Sequence, residues 1–242
     1  MSDKRRADIV LVERGFFTSR AQAQAAIEAG GVIVDGVQLR KASQTIFADA
    51  AITAQAPHPW VSRGGVKLAA ALDAFAIDPA GARALDIGAS TGGFAHVLLT
   101  HGAAHVHAVD VGHGQLHPLI AGDARVTMLE GTDARRLPEL GIGPFDILVI
   151  DVSFISLKLV LPPVTPLLAP GATLVALIKP QFEAGRQHLH KGIVRDEAVH
   201  TMVCSDIRAH VEDLGFAIAG LVPSPITGGD GNREFLLGAR RV

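Results

Sequence analysis

Beyond residue 83 the apolar positions fall into two alternating patterns. Runs of strand length stand at 84–87, 105–109, 126–129, 146–150 and 173–178, each followed directly by a glycine or a charged residue. Between them, 94–100 and 197–214 are spaced as helices, and 216–222 and 234–238 read as closing strands. Short apolar strands alternating with helices predict a doubly wound α/β sheet.

The first sixty residues are patterned differently. Residues 6–14 are periodic and stop at Gly15, Ser19 caps a second helix over 20–29, and Gly30-Gly31 end it. Residues 32–37 form a strand running into Asp35-Gly36, a hairpin signal. Two prolines and little periodicity mark 54–59 as linker-like. The expected organisation is a small α+β domain over 1–57, a linker over 58–62 and a Rossmann-like α/β domain over 63–242.

Composition adds three points. The one cysteine, Cys204, rules out an internal disulfide and suits a reducing cytoplasm; inside a helical segment it reads as a buried structural thiol. No apolar run approaches the roughly 18 residues of a membrane span, and no apolar run follows the basic start, so a cytoplasmic protein is expected. The net charge of −2 is unevenly spread. Residues 1–67 carry nine lysines and arginines against six acids, and the remainder 13 against 18, a basic front suited to RNA.

The loop after the first strand, Asp86-Ile87-Gly88-Ala89-Ser90-Thr91-Gly92-Gly93, has the glycines of a ligand-binding turn. Asp110 ends the second strand 22 residues after Gly88, where a carboxylate can accept from both hydroxyls of a ligand ribose. Glycines at 88, 92 and 93 depart from the G-x-G-x-x-G of dinucleotide sites. Asp86 would repel a diphosphate but suits a cationic cofactor with an amino acid tail, which favours a methyltransferase over a dehydrogenase. Four further polar residues stand where elements end: Lys67 ahead of the first strand, Asp151 and Lys179 closing two apolar strands, and Glu234 opening the last. A lysine beside a second lysine in a partly desolvated site falls from ~10.4 toward roughly 7–8. Lys179 is therefore expected to act as general base or hydroxyl polariser, with Lys67 lowering its pKa and Asp151 and Glu234 holding the lysines. No metal is needed.

The segments S-R-G-G-x-K-L, D-I-G-A-S-T-G-G-F, D-V-S-F-I-S, I-K-P-Q-F-E and G-N-x-E-F-L together resemble the TlyA group of rRNA 2′-O-methyltransferases, also called hemolysins, within the FtsJ-like class. The front segment is similar to the RNA-binding domain named after ribosomal protein S4. The resemblance implies a K-D-K-E tetrad at Lys67, Asp151, Lys179 and Glu234. It implies S-adenosylmethionine as cofactor, held by Asp86, Gly88, Ser90, Asp110, Asp133 and Asp151, with Thr91, Gly92 and Gly93 completing the loop. The implied substrate is a cytidine ribose in 16S or 23S rRNA, presented in 30S or 50S subunits. Members with broad substrate range often carry Arg-Ala-Trp-Val in the linker, where this chain has His58-Pro59-Trp60-Val61; that difference implies a stiffer junction. Shortness at both ends tilts the expected target toward 23S.

RNA contacts are expected from Arg5, Arg6, Arg20, Arg40 and Lys41 in front, from Arg63, and from Arg186 and Lys191 in the loop 185–192. Stacking platforms are sought among Trp60, Phe154 and Phe182. Two rivals stay open: a membrane-lytic hemolysin, for which the sequence offers no span and no basic amphipathic helix, and a catalytically silent rRNA-binding or assembly factor.

Overall fold

The computed structural model describes residues 3–17, 19–228 and 230–242. It divides the chain into two units, Met1–Pro59 and Trp60–Val242. Each is described in turn.

The first unit runs β1 (Lys4–Arg6), α1 (Ala7–Glu13), α2 (Arg20–Glu28), β2 (Val32–Val34), β3 (Val37–Gln38), β4 (Thr45–Phe47) and β5 (Ile52–Ala54). β1 pairs antiparallel with β4, and β2 lies between β3 and β5. The helices bury Ala7, Val10 and Leu11 against Ala23, Ala26 and Ile27. Ser19 Oγ accepts from Gln22 N–H at the start of α2, as its cap position predicts. Asp35 and Gly36 both take positive φ (50° and 80°), which a tight antiparallel turn requires. Two expectations shift. A strand precedes the first helix and contains Arg6, and Ile52–Ala54 is a strand that pairs with β2 where a linker was expected to begin at 54. Edge pairing, invisible in so short a run, outweighs the poor periodicity.

The second unit runs α3 (Gly64–Ala74), β6 (Arg83–Ile87), α4 (Gly93–Thr100), β7 (His105–Val109), α5 (Pro118–Ala121), β8 (Val126–Leu129), β9 (Phe145–Ile150), α6 (Leu157–Val164), β10 (Leu168–Ile178), α7 (Pro180–Glu183), α8 (Glu197–Asp213), β11 (Phe216–Pro223) and β12 (Phe235–Arg241). Among the described residues these strands form one seven-stranded sheet, ordered β11-β12-β10-β9-β6-β7-β8. The pairings among β10, β9, β6, β7 and β8 are parallel, and β12 is antiparallel to both its neighbours. The chain moves outward from β6 first toward β8 and then, through β9, toward β10, so the strand order reverses between β6 and β9. Ligands of such sheets bind beyond the carboxyl ends at that reversal.

Apolar cores line both faces. Leu68, Leu72, Phe94 and Leu98 from α3 and α4 cover one, and Leu157, Leu161, Val203 and Ile207 from α6 and α8 cover the other. Among the described residues, no helix is long and apolar enough to cross a membrane.

Candidate active site

Hydrogen-bond register fixes the site before any side chain is considered. Ile87 pairs with Ile150, Ile150 with Ala176, and Ile178 with Phe235 across the four central strands. The next residues out, Gly88, Asp151, Lys179 and Glu234, therefore emerge along one edge of the sheet. Asp151 N–H donates to Ile87 O at 2.9 Å, holding the two loops together at the strand reversal. Gly88 has φ +82°, and a Cβ there would stand 2.3 Å from Asp151 O, so the position needs glycine for both reasons. Gly88→Ala is expected to push the β6 and β9 loops apart. Cofactor affinity should fall at least tenfold and the melting temperature by several degrees, read by calorimetry and thermal melting; a variant with native values for both would show the loop to be more tolerant than this contact allows.

The tetrad forms two ion pairs. Lys67 Nζ donates to Glu234 Oε2 at 2.6 Å, both side chains being almost fully buried (10% and 3% exposed). Lys179 Nζ lies 2.6 Å from Asp151 Oδ1, an ion-pair contact at angles outside those of a hydrogen bond, and donates to Ser153 Oγ at 3.0 Å. One expectation changes. Lys67, expected just ahead of the first strand, stands in the first turn of α3, which separates it from β6. Glycines at 64 and 65 weaken the helix signal, yet close packing requires the second, since a Cβ on Gly65 would stand 2.4 Å from Trp60 Cγ. Each lysine has its own carboxylate partner, Glu234 for Lys67 and Asp151 for Lys179.

Beside Asp151 a cavity of about 520 Å³ opens, lined by Gly88, Ser90, Asp110, Asp133, Asp151 and Phe154 among others. Asp110 is held from two sides: Oδ2 accepts from Ser90 N–H and Oδ1 from Gly112 N–H, both at 2.8 Å. Asp133 caps the 3-10 turn Ala134–Leu140 and pairs with Arg135. Thr91, Gly92 and Gly93 are not on the cavity wall; Gly92, at φ +89°, instead starts α4. Asp86 is also off the wall. It is fully buried, and its carboxylate has no side-chain hydrogen-bond partner, only a weak backbone contact from Ala95 at the start of α4. Burial, then the charges of Asp151 and Asp110, push its carboxyl up to about 8.

Folded Asp86 keeps its proton up to about pH 8, whereas the unfolded chain releases it near 4. Its contribution is fully present below pH 4 and is lost as pH rises toward 8. Asp86→Asn removes a proton-binding difference without changing shape. The variant should match wild type near pH 4 and melt several degrees higher at pH 8; parallel melting curves across that range would refute the burial argument.

Asp110, Asp133 and Asp151 on the cavity wall, the last two paired with Arg135 and Lys179, and a neutral acid behind it suit a cationic cofactor better than a diphosphate. The residues therefore fit a sulfonium cofactor bearing an amino acid tail.

At the cavity mouth, Phe154 is 91% exposed and holds φ +65°, a strained conformation for an aromatic residue. Its ring meets Phe182 at 5.0 Å. Below this pair, Ser156 Oγ and Leu157 N–H both donate to Glu183, joining the loops after β9 and β10. Burial nevertheless pushes the Glu183 carboxyl up. Ser153 and Glu183 were not singled out in the sequence, although both sit inside quoted motifs; a cap partner 26 or 27 residues away leaves no local signal. Trp60, by contrast, is packed edge-on against His96 and tilted against His101, so it is no open platform.

The expected RNA-contacting cations divide into two groups. Arg6 and Arg20 both pair with the buried Asp8, holding its carboxyl well below the usual range, and Arg5 pairs with Glu13. Arg63 donates to Thr227 O. Arg40, Lys41, Arg186 and Lys191 are exposed.

Residues 60–241 match the model of the FtsJ-like methyltransferases. The chain belongs to that family. Its cofactor is S-adenosylmethionine, in keeping with the acid-lined cavity. Residues 5–46 match the S4 domain. Across nearly the whole FtsJ-like chain, 43% of residues are identical to the 16S/23S rRNA (cytidine-2′-O)-methyltransferase TlyA of Mycobacterium tuberculosis, covering 99% of this chain and 91% of that one. Hemolysin A of Brachyspira hyodysenteriae is 38% identical, over 96% of this chain and 98% of its own. A hemolysin-named structure from Streptococcus thermophilus superposes with a TM-score of 0.78 at 39% identity, covering 100% of this FtsJ-like chain and 90% of that one.

Proposed function

We propose that this methyltransferase modifies the 2′-hydroxyl of a cytidine ribose in rRNA, captured in a ribosomal subunit with the help of the S4 unit. The observation that carries the reading is the pair of lysine–carboxylate contacts at the sheet edge beside the cofactor cavity. When bound, S-adenosylmethionine supplies the methyl group and a sulfide leaving group. The protein has to place a weak nucleophile in line and remove its proton. Lys179 Nζ, steered by Asp151 and Ser153, polarises the 2′-hydroxyl and, in its amine form, takes the proton as the oxygen–methyl bond forms. Lys67 and Glu234, sealed from water, fix the far side of the site. Asp110, with lone pairs left by Ser90 and Gly112, would hold the cofactor's ribose hydroxyls, and Asp133 would hold its adenine amine. Phe154, backed by Phe182, stacks on the target base. Arg40, Lys41, Arg186 and Lys191 contact phosphates, with Arg5, Arg6, Arg20 and Arg63 available at the cost of their present partners. Such a substrate places the protein in the cytoplasm.

The test is transfer of labelled methyl to isolated 30S and 50S subunits, followed by nucleoside analysis. Label in 2′-O-methylcytidine supports the reading and names the subunit. Label in a base, or none in subunits or naked rRNA while cofactor still binds, overturns it.

A further inference from the structure

The first unit holds a cleft that the proposed reaction leaves unused. It encloses about 190 Å³ between the β2–β3 hairpin and β4. Its floor is apolar and closed: Val34, Leu39 and Ile46 are 8%, 2% and 6% exposed. Phe47, on one wall, is 43% exposed, an unusual position for a phenylalanine in so small a unit. Lys4 is its cross-strand partner and holds Nζ 4.6 Å from the ring centroid. The segment joining the two walls carries Arg40 and Lys41, both exposed. Gln38 and Gln44 bring side-chain amides to the edges; Gln38 Nε2 donates to Gly30 O, which leaves its oxygen as an acceptor.

We propose that this cleft takes one unpaired nucleobase of the RNA substrate, stacked on Phe47, with Lys4, Arg40 and Lys41 facing the flanking phosphates. The inference rests on the rRNA reading above and deepens it. A cleft with an apolar floor, an aromatic wall, the amides of Gln38 and Gln44 in its polar lining, Lys4 on its wall and Arg40 and Lys41 on the adjoining segment suits a single-stranded nucleotide, and Asp35, the one acid in the lining, already accepts from Ala51 N–H. The cations favour a polyanion over an apolar peptide.

Binding to deproteinised rRNA would be measured against salt for Phe47→Ala, Phe47→Leu, Phe47→Trp and the double variant Arg40→Ala/Lys41→Ala. In parallel, rRNA carrying 5-iodouridine would be irradiated and adducts mapped by mass spectrometry. Phe47→Ala and the fold-preserving Phe47→Leu should each weaken binding about tenfold without changing the salt slope, because stacking releases no counterions. Phe47→Trp should bind as wild type, and an adduct should map to Phe47. The double variant should lower the slope by one to two. Native affinity for Phe47→Leu with no adduct, while the double variant is weakened, would overturn the nucleobase cleft and leave the rRNA reading standing. Native affinity and slope for every variant would remove the first unit from RNA binding altogether. Loss of binding to assembled subunits alone would assign the cleft to a protein partner and equally overturn the proposal.

Discussion

Replacing Lys179 by alanine should lower the rate of methyl transfer by about 10²–10⁴, the range that a positioned acid–base group contributes. Cofactor affinity should change less than about threefold, because Lys179 is not on the wall of the cofactor cavity. Single-turnover transfer to isolated subunits measures the first quantity and calorimetry the second. Lys179→Arg adds a sharper distinction. A guanidinium donates hydrogen bonds and keeps a positive charge but does not lose its proton. If Lys179 takes the proton from the hydroxyl, arginine should be nearly as inactive as alanine; if it only polarises, arginine should retain a substantial fraction. An alanine variant turning over at the native rate would remove Lys179 from the chemistry and throw the burden onto Asp151, its neighbour at 2.6 Å.

Much of the sheet was legible because buried parallel strands have few ways to be written. Phe145–Ile150 is nearly all apolar, lies between two parallel neighbours, and ends where Asp151 turns toward the cavity. Elements held together by packing were harder to read. The helix Leu157–Val164 contains Pro162 and Pro163, which argue against a helix in isolation. It forms because Leu157, Val160, Leu161 and Val164 make one buried stripe that the core rewards. The site was legible as residue types at strand ends, and register then brings Asp151, Lys179 and Glu234 together. What could not be read was the pairing. Lys67 and Glu234 are 167 residues apart, and nothing local tells Lys67 that its carboxylate is Glu234 and not Asp151. Asp86 shows the same limit. Its place before the glycine loop suggests a ligand contact, while its depth, which decides its protonation, depends on how the strand is buried.

Depth also decides what happens to the Lys67–Glu234 pair. Two opposite charges this far from water contribute little net stability as a pair, but removing one leaves the other stranded. Lys67→Ala should therefore cost about 3–5 kcal/mol. For a domain of this size that is a fall of roughly 10 °C in melting temperature. Loss of activity in that variant would be ambiguous, since an unstable enzyme is inactive for trivial reasons. The double variant Lys67→Met/Glu234→Leu resolves it. It replaces both charges by apolar groups of similar bulk, a change that is often neutral or stabilising for buried pairs. Its melting temperature should return to within a few degrees of wild type, while methyl transfer stays at least a hundredfold down. That outcome would place the pair in the service of the reaction. If the double variant regains stability and turnover together, the pair is a structural strut between α3 and β12, and the chemistry is confined to Lys179, Asp151 and the groups they hold.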